Sequence, residues 1–292
     1  MIDLHMHTNN SDGTDSVKDI LKKAQEKGLS YISITDHDNC NGYLELEKID
    51  VKKYYNGKII PGIEIKCSYG EHLIEVLGYK IDTKKIKEWT DEFYKDKSRE
   101  QIQNKYFNIL YDKCIDIGLT MQEKSLIQWN PKNDWASVTI YNEIKKHEEN
   151  KEKLPEDLWN EFDVFSKKYC GNSKYQFYID KTADYPSTEE AIEIIKKCGG
   201  LAFLPHLFIY KWADNKKELI DDILNKYKVD GIECMHSSFS DEESQYLINL
   251  CNERHYFKSG GSDYHGANKP KIQMGSGKGN LQIPESFVEE WL

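Results

Sequence analysis

Short apolar runs that end in histidine or a carboxylate recur along this chain, and they restrict its fold more than any other feature. "MIDLHMHT", "LSYISITDHD", "KIIPGIEIKCS", "LAFLPH", "VDGIECMH" and "FKSGGSDYHG" each have the length of one strand. "EHLIEVLGYKI" adds an alternating strand. Helical stretches stand between several of them. Residues 17–27 form an amphipathic pattern closed by Gly28, and "STEEAIEIIKKCGG" opens with Ser187 and Glu190 in capping-box spacing. "ELIDDILNKY" and "DEESQYLINLCNERH" follow. Strand-helix-strand units of this kind predict a parallel sheet or barrel. Six of the nine histidines fall at the C-terminal ends of these strands or in the turns just after them. In parallel α/β architectures that edge is where active sites are built.

Residues 81–185 differ in texture. "EWTDEFYKDKSREQIQNKYFNILYDKCIDIG" has helical spacing and is rich in Lys, Glu, Tyr and Trp, with no metal-type cluster. The division is therefore residues 1–80 and 186–292 as the α/β body, with 81–185 as a helical insertion or lid. Hydrophobic residues at 38% and charged residues at 31% favour a globular chain. The net charge of −10 argues against a protein that coats nucleic acid through its overall field. Residues 1–7 do not read as a signal peptide, and no apolar run has the length of a membrane span. Seven scattered cysteines without a CxxC pair predict reduced thiols and a cytoplasmic location.

His5 and His7 alternate along a strand, so both imidazoles face one side and can reach one ion. Two surface histidines would give the same pattern. Asp12 in "NNSDG" is ordinary turn chemistry unless a cation recruits it. His37 in "ITDHD" lies among ionisable residues that do not suit a core. Asp36 is expected to orient an imidazole, and Asp3 to do so for His5 or His7. Asp38 suits a helix N-cap equally well. Glu64 lies between Ile63 and Ile65, which take the opposite face, so its carboxylate needs a charge partner; a bridging metal ligand meets that need. His72 opens the next strand, and His206 ends "LAFLPH". A lone histidine after a strand is ordinarily structural; recurrence over several strands is what points to metal. Asp263 and His265 share a face in "GSDYHG", beside glycines that allow close approach. His236 in "GIECMH" is placed for substrate contact or proton transfer, with a structural role as the alternative. His147 and His255 read as solvated residues.

In this order, "DLHMHTNNSDG", "ITDHD", "PGIEI", the histidine of "HLIEVLGY", "PH" and "GSDYHG" resemble the PHP (polymerase and histidinol phosphatase) domain. The likeness is to its short bacterial phosphoesterase branch with a helical insertion. It implies an α/β fold, a distorted (β/α)7 barrel of the PHP type, with a mainly helical insertion. It also implies two or three divalent metal ions (Mn, Fe or Zn). By motif, the first takes His5, His7, Glu64 and Asp263; the second takes Glu64 as a bridge with His72 and His206; the third takes Asp12, His37 and His265. Relatives acting on nucleotides carry paired arginines on the insertion's first helix and a His-Ala or Arg-Pro-His element in its second half. Here those stretches read "KSREQIQNKYF" and "NDWASVTIYNEI". Arg99 and Lys105 are the nearest cations, and Trp135 stands where a histidine is expected.

The expected activity is hydrolysis of a phosphate monoester of a small molecule, such as a nucleotide or a nucleoside 3′,5′-bisphosphate. A metal-activated hydroxide would attack phosphorus in line. Glu64, His236 and Asp263 are the candidate catalytic residues; Arg99, Lys105 and His236 are the candidate substrate contacts. Rival activities are exonuclease action on short single-stranded oligonucleotides, which an aromatic-rich insertion would favour, and a histidinol-phosphate-type phosphatase. A non-enzymatic, metal-stabilised binding module is the third rival, and the full ligand set speaks against it. Neither a membrane nor an obligate protein partner is expected.

Overall fold

The computed structural model describes residues 1–292. Its elements, in chain order, begin with β1 (Ile2–Asp3), α1 (Val17–Glu26), β2 (Tyr31–Ile32), α2 (Asn41–Leu46), β3 (Lys58–Ile59), β4 (Gly62–Tyr69) and β5 (His72–Tyr79). Helices then dominate: α3 (Thr83–Tyr94), α4 (Arg99–Asp116), α5 (Ala136–Lys145), α6 (Glu156–Asn160), α7 (Phe162–Val164) and α8 (Thr188–Lys197). The chain closes with β6 (Leu201–Leu204), α9 (Lys216–Lys226), β7 (Gly231–His236), α10 (Asp241–Arg254), β8 (Phe257–Gly261) and α11 (Ser286–Glu289).

Local chemistry explains the helix starts. Ser16 accepts the Asp19 N–H and opens α1, which buries Val17, Ile20, Leu21 and Ala24. Reciprocal capping boxes open α8 (Ser187 with Glu190) and α10 (Ser240 with Glu243). Strands β1, β2 and β3 form one parallel sheet, and β4 to β8 lie in order in a second. Within the second, β6, β7 and β8 run parallel but β5 is antiparallel to β6. The sheet is therefore mixed, not wholly parallel. Only Gly70 and Glu71 separate β4 from β5. A parallel crossover needs a dozen or more residues, so the chain turns straight back, with Gly70 at φ +58°.

Pairing also joins the two sheets at both edges. Met6 bridges Tyr264, and His37 bridges Glu64, each in parallel. The Leu4 N–H donates to Gly260 O (3.1 Å), and the Asp38 N–H to Glu64 O (2.9 Å). The segment from Ile2 to His7 is buried on both faces: Ile2, Leu4 and Met6 on one, Asp3, His5 and His7 on the other. The apolar face meets the core, which leaves the polar face for chemistry.

The chain divides into two compact units. The first comprises Met1–Cys67, Ile74–Asp91 and Pro186–Leu292; the second comprises Ser68–Leu73 and Glu92–Tyr185. Most of α3 thus belongs to the first unit. The second has an apolar core of its own, including Phe107, Leu110, Ile140, Leu158, Phe165 and Phe177. All seven cysteines are buried and unbridged. No helix is long and apolar enough to cross a membrane.

Candidate metal centre

Glu64, on β4, gathers the histidines. Its Oε2 lies 3.2 Å from His5 Nε2, 3.2 Å from His7 Nε2 and 3.3 Å from His37 Nδ1. Its Oε1 lies 2.8 Å from His206 Nε2. Asp263, just past β8, adds Oδ1 at 3.4 Å from His7 Nε2 and 3.7 Å from His5 Nε2. Asp12, in the loop after β1, faces His265 Nε2 at 3.1 Å and His37 Nε2 and His7 Nδ1 at 3.6 Å each. The ligand atoms of His7, Asp12, His37 and His265 all lie within 4.8 Å of one another, as do those of His5, His7 and Glu64, and of His37, Glu64 and Glu75. Close backbone approach makes this possible: a Cβ on Gly261 would stand 2.2 Å from the His5 Cβ.

Burial opposes charge on these groups, and their neighbours override it. His7 is raised to about 9 because the Asp263 and Glu64 carboxylates outweigh its burial. Burial also works against His5 and His206, yet Glu64 and the other carboxylates raise both. Burial would lift Glu64 and Asp263, but His5 and His37 hold the first, and His236 and His7 the second, well below the usual carboxylate range. His37 moves the other way, to about 4, through burial and the charges of His7 and Lys66. Several nitrogens are nevertheless left without an aligned hydrogen bond: both of His7, Nδ1 of His37 and of His206, and Nε2 of His236. Each such buried group costs roughly 1–3 kcal/mol. The orphaned nitrogens of His7 and His37 face the oxygens of Glu64, Asp263 and Asp12, a donor set that fits divalent ions.

The structure brings together eight of the nine expected ligands: His5, His7, Asp12, His37, Glu64, His206, Asp263 and His265. His72 is outside the three ligand groups. It opens β5 within the second unit, and alternation places it on the opposite face of the strand from Glu75. Glu75 occupies the expected place, with Oε2 3.3 Å from His206 Nε2 and Oε1 3.9 Å from His37 Nδ1. His236 does reach the centre, with Nε2 3.5 Å from Asp263 Oδ2.

The orienting carboxylates are also reassigned. The His5 ring is held by Glu233, whose Oε1 lies 2.9 Å from Nδ1 and whose Oε2 accepts the His206 N–H at 2.8 Å. Asp3 instead accepts the N–H groups of Ser262 (2.9 Å) and Gly275 (2.7 Å) and the Ser262 hydroxyl, tying the last strand's exit to β1. Asp36 accepts the Thr8 N–H and the hydroxyls of Thr8 and Ser11, which fixes the loop carrying Asp12. Asp38 accepts the Lys66 N–H at 3.0 Å; Cys40 stands at the N-terminus of α2, and no side chain caps that helix. Glu233 lies between Ile232 and Cys234 as Glu64 lies between Ile63 and Ile65, so the pattern that marks one marks the other.

Arg99 and Lys105 both have partners within the second unit. Arg99 donates to the carbonyls of Lys132 (3.0 Å) and Asn133 (3.2 Å), with its guanidinium carbon 4.0 Å from the centre of the Trp135 ring. Lys105 donates to both oxygens of Asp184, at 2.8 and 3.0 Å.

The chain is similar to several known proteins. A 5′-3′ exoribonuclease of Haemophilus influenzae is 25% identical over 294 residues, covering 99% of this chain and 97% of the relative. A phosphoribosyl 1,2-cyclic phosphate 1,2-diphosphodiesterase of Eggerthella lenta is 21% identical over 268 residues, covering 90% and 94%. Among solved structures, a Bifidobacterium adolescentis protein assigned as a metal-dependent phosphoesterase superposes with a TM-score of 0.65 at 19% identity, covering 99% of this chain and 94% of that one. The PHP domain family matches residues 3–259, and the chain belongs to that family.

Proposed function

We propose that the protein is a metal-dependent phosphoesterase that hydrolyses a phosphate monoester of a small molecule, such as a nucleotide or a nucleoside 3′,5′-bisphosphate. The observation that carries this reading is the set of four imidazoles converging on the buried Glu64. In this assignment His5, His7, Glu64 and Asp263 hold one ion; Glu64, Glu75 and His206 hold a second; Asp12, His37 and His265 hold a third. The second set has two carboxylates to one imidazole and suits a harder ion such as Mn, whereas the third suits Zn or Fe as well. Divalent ions bound there supply Lewis acidity, lowering the pKa of water and neutralising charge on phosphate oxygens.

The chain's own groups do the positioning. Glu233 fixes the His5 ring and Asp36 fixes the loop of Asp12. The Ser238 N–H donates to His236 Nδ1 at 3.1 Å, so the neutral ring carries its proton on Nε2, facing the centre. That ring can donate a hydrogen bond to a substrate oxygen. It cannot surrender the proton without becoming an imidazolate, so substrate contact is favoured over proton transfer. The pairing at both sheet edges supports the distorted (β/α)7 barrel, and the second unit is assigned to substrate selection. Unbridged buried thiols support a reducing, cytoplasmic setting.

Exonuclease action on short single strands is the second reading, favoured by the end-to-end likeness to an exoribonuclease. Protein loaded separately with Mn, Fe and Zn should be screened against phosphorylated metabolites and short oligoribonucleotides, with and without chelator. Chelator-sensitive release of phosphate from monoesters supports the proposal. Release of mononucleotides with monoesters untouched favours the exonuclease, and turnover that survives chelation removes both.

A further inference from the structure

A cation beside the metals would add counter-charge for the substrate's phosphate, and Arg99 and Lys105 are paired within the second unit. Two lysines of the first unit stand at the centre itself. Lys66 lies two residues beyond Glu64 on β4, so alternation sends both side chains to one face. Its Nζ is 3.3 Å from Glu75 Oε1, and its side chain is 32% exposed. Lys269 follows the 3-10 turn of Gly266–Asn268, directly after His265. Its Nζ is 2.5 Å from Asp263 Oδ2, and its side chain is 38% exposed. Each ammonium thus pairs with a carboxylate assigned to a metal, and each remains open to solvent.

We propose that Lys66 and Lys269 are the phosphate-binding cations of this centre, an inference that rests on the phosphoesterase reading. In the metal-free protein they act as counter-ions to Glu75 and Asp263. Divalent ions held by those carboxylates would repel the ammonium groups and loosen both pairs. Each lysine has a flexible stem and three donors, so its head can turn from the carboxylate to an incoming phosphate oxygen. The centre then presents metal and ammonium together to a dianion, and charge-assisted hydrogen bonds hold it.

The test is binding of inorganic phosphate, measured by calorimetry on metal-loaded protein, beside the KM of whichever phosphate ester turns over best. Lys66→Ala and Lys269→Ala should each weaken phosphate binding and raise KM by about tenfold, as expected from loss of one charge-assisted contact. Metal content by elemental analysis should stay at the wild-type level. Lys66→Met and Lys269→Met keep the side-chain volume and should behave alike, which separates charge from packing. Wild-type phosphate affinity and KM in fully loaded variants would overturn the proposal. So would a deficit explained wholly by lost metal. A wild-type protein that binds phosphate through these lysines yet hydrolyses no ester would sink the phosphoesterase reading and leave this one standing.

Discussion

Four imidazole nitrogens lie within 3.3 Å of the two Glu64 oxygens. Protons alone serve such a cluster poorly, as the orphaned nitrogens of His7 and His37 show. Glu75 adds a second carboxylate beside His206, so the centre on that side is richer in oxygen than the motifs imply. If Glu75 is a ligand, Glu75→Ala should lose about one metal ion per chain on elemental analysis, because a site needs its full ligand set to compete with water. His72→Ala should keep the full complement. The reverse outcome would restore His72 to the centre. The strand itself points to Glu75: Glu75, Leu77 and Tyr79 share one face of β5, and His72 has the other parity. Residue type favours the histidine and strand parity favours the glutamate. Glu233 is a second case, since its isolation between apolar neighbours matches that of Glu64.

At the scale of elements, the segment that starts with β1 places two imidazoles in a fully buried position, and without ions their partners are carboxylates. His7, ordinarily near 6.5, is raised to about 9 in the folded protein. A base with a raised folded pKa adds stability that is complete below its unfolded pKa and disappears as pH climbs through the folded one. His5 and His206 are raised too, so they act in the same sense. Metal-free protein should therefore lose thermal stability from about pH 6.5 to about pH 9, read as a falling Tm. Metal-loaded protein should hold its Tm over that window, since ions replace the protons. A flat Tm in the metal-free form would count against this electrostatic account. The strands themselves were legible from apolar runs, and the helix start of α8 from its capping box. Strand direction was less so, because alternation reads the same both ways. The two-residue link before β5 does contain the answer.

Across the whole molecule, one compact unit takes residues 1–67, 74–91 and 186–292 and the other takes 68–73 and 92–185, so residues 68–73 and 81–91 lie on the other side of the division expected from sequence. What composition could not distinguish was a cation paired within the helical unit from one paired with a carboxylate of the centre. Arg99 lies over Trp135 and Lys105 pairs with Asp184, contacts between residues far apart in sequence that no local pattern announces. Lys66 and Lys269, by contrast, sit two and four residues from expected ligands. The central claim is that these residues hold several divalent ions on which hydrolysis depends. Elemental analysis of protein prepared without chelator, then stripped and reloaded while phosphate release is followed, tests it most directly. The account predicts more than one transition metal per chain, with activity falling as the ions leave and returning as they are restored. A stripped protein that takes up no metal, or that hydrolyses phosphate esters at the full rate, would contradict it.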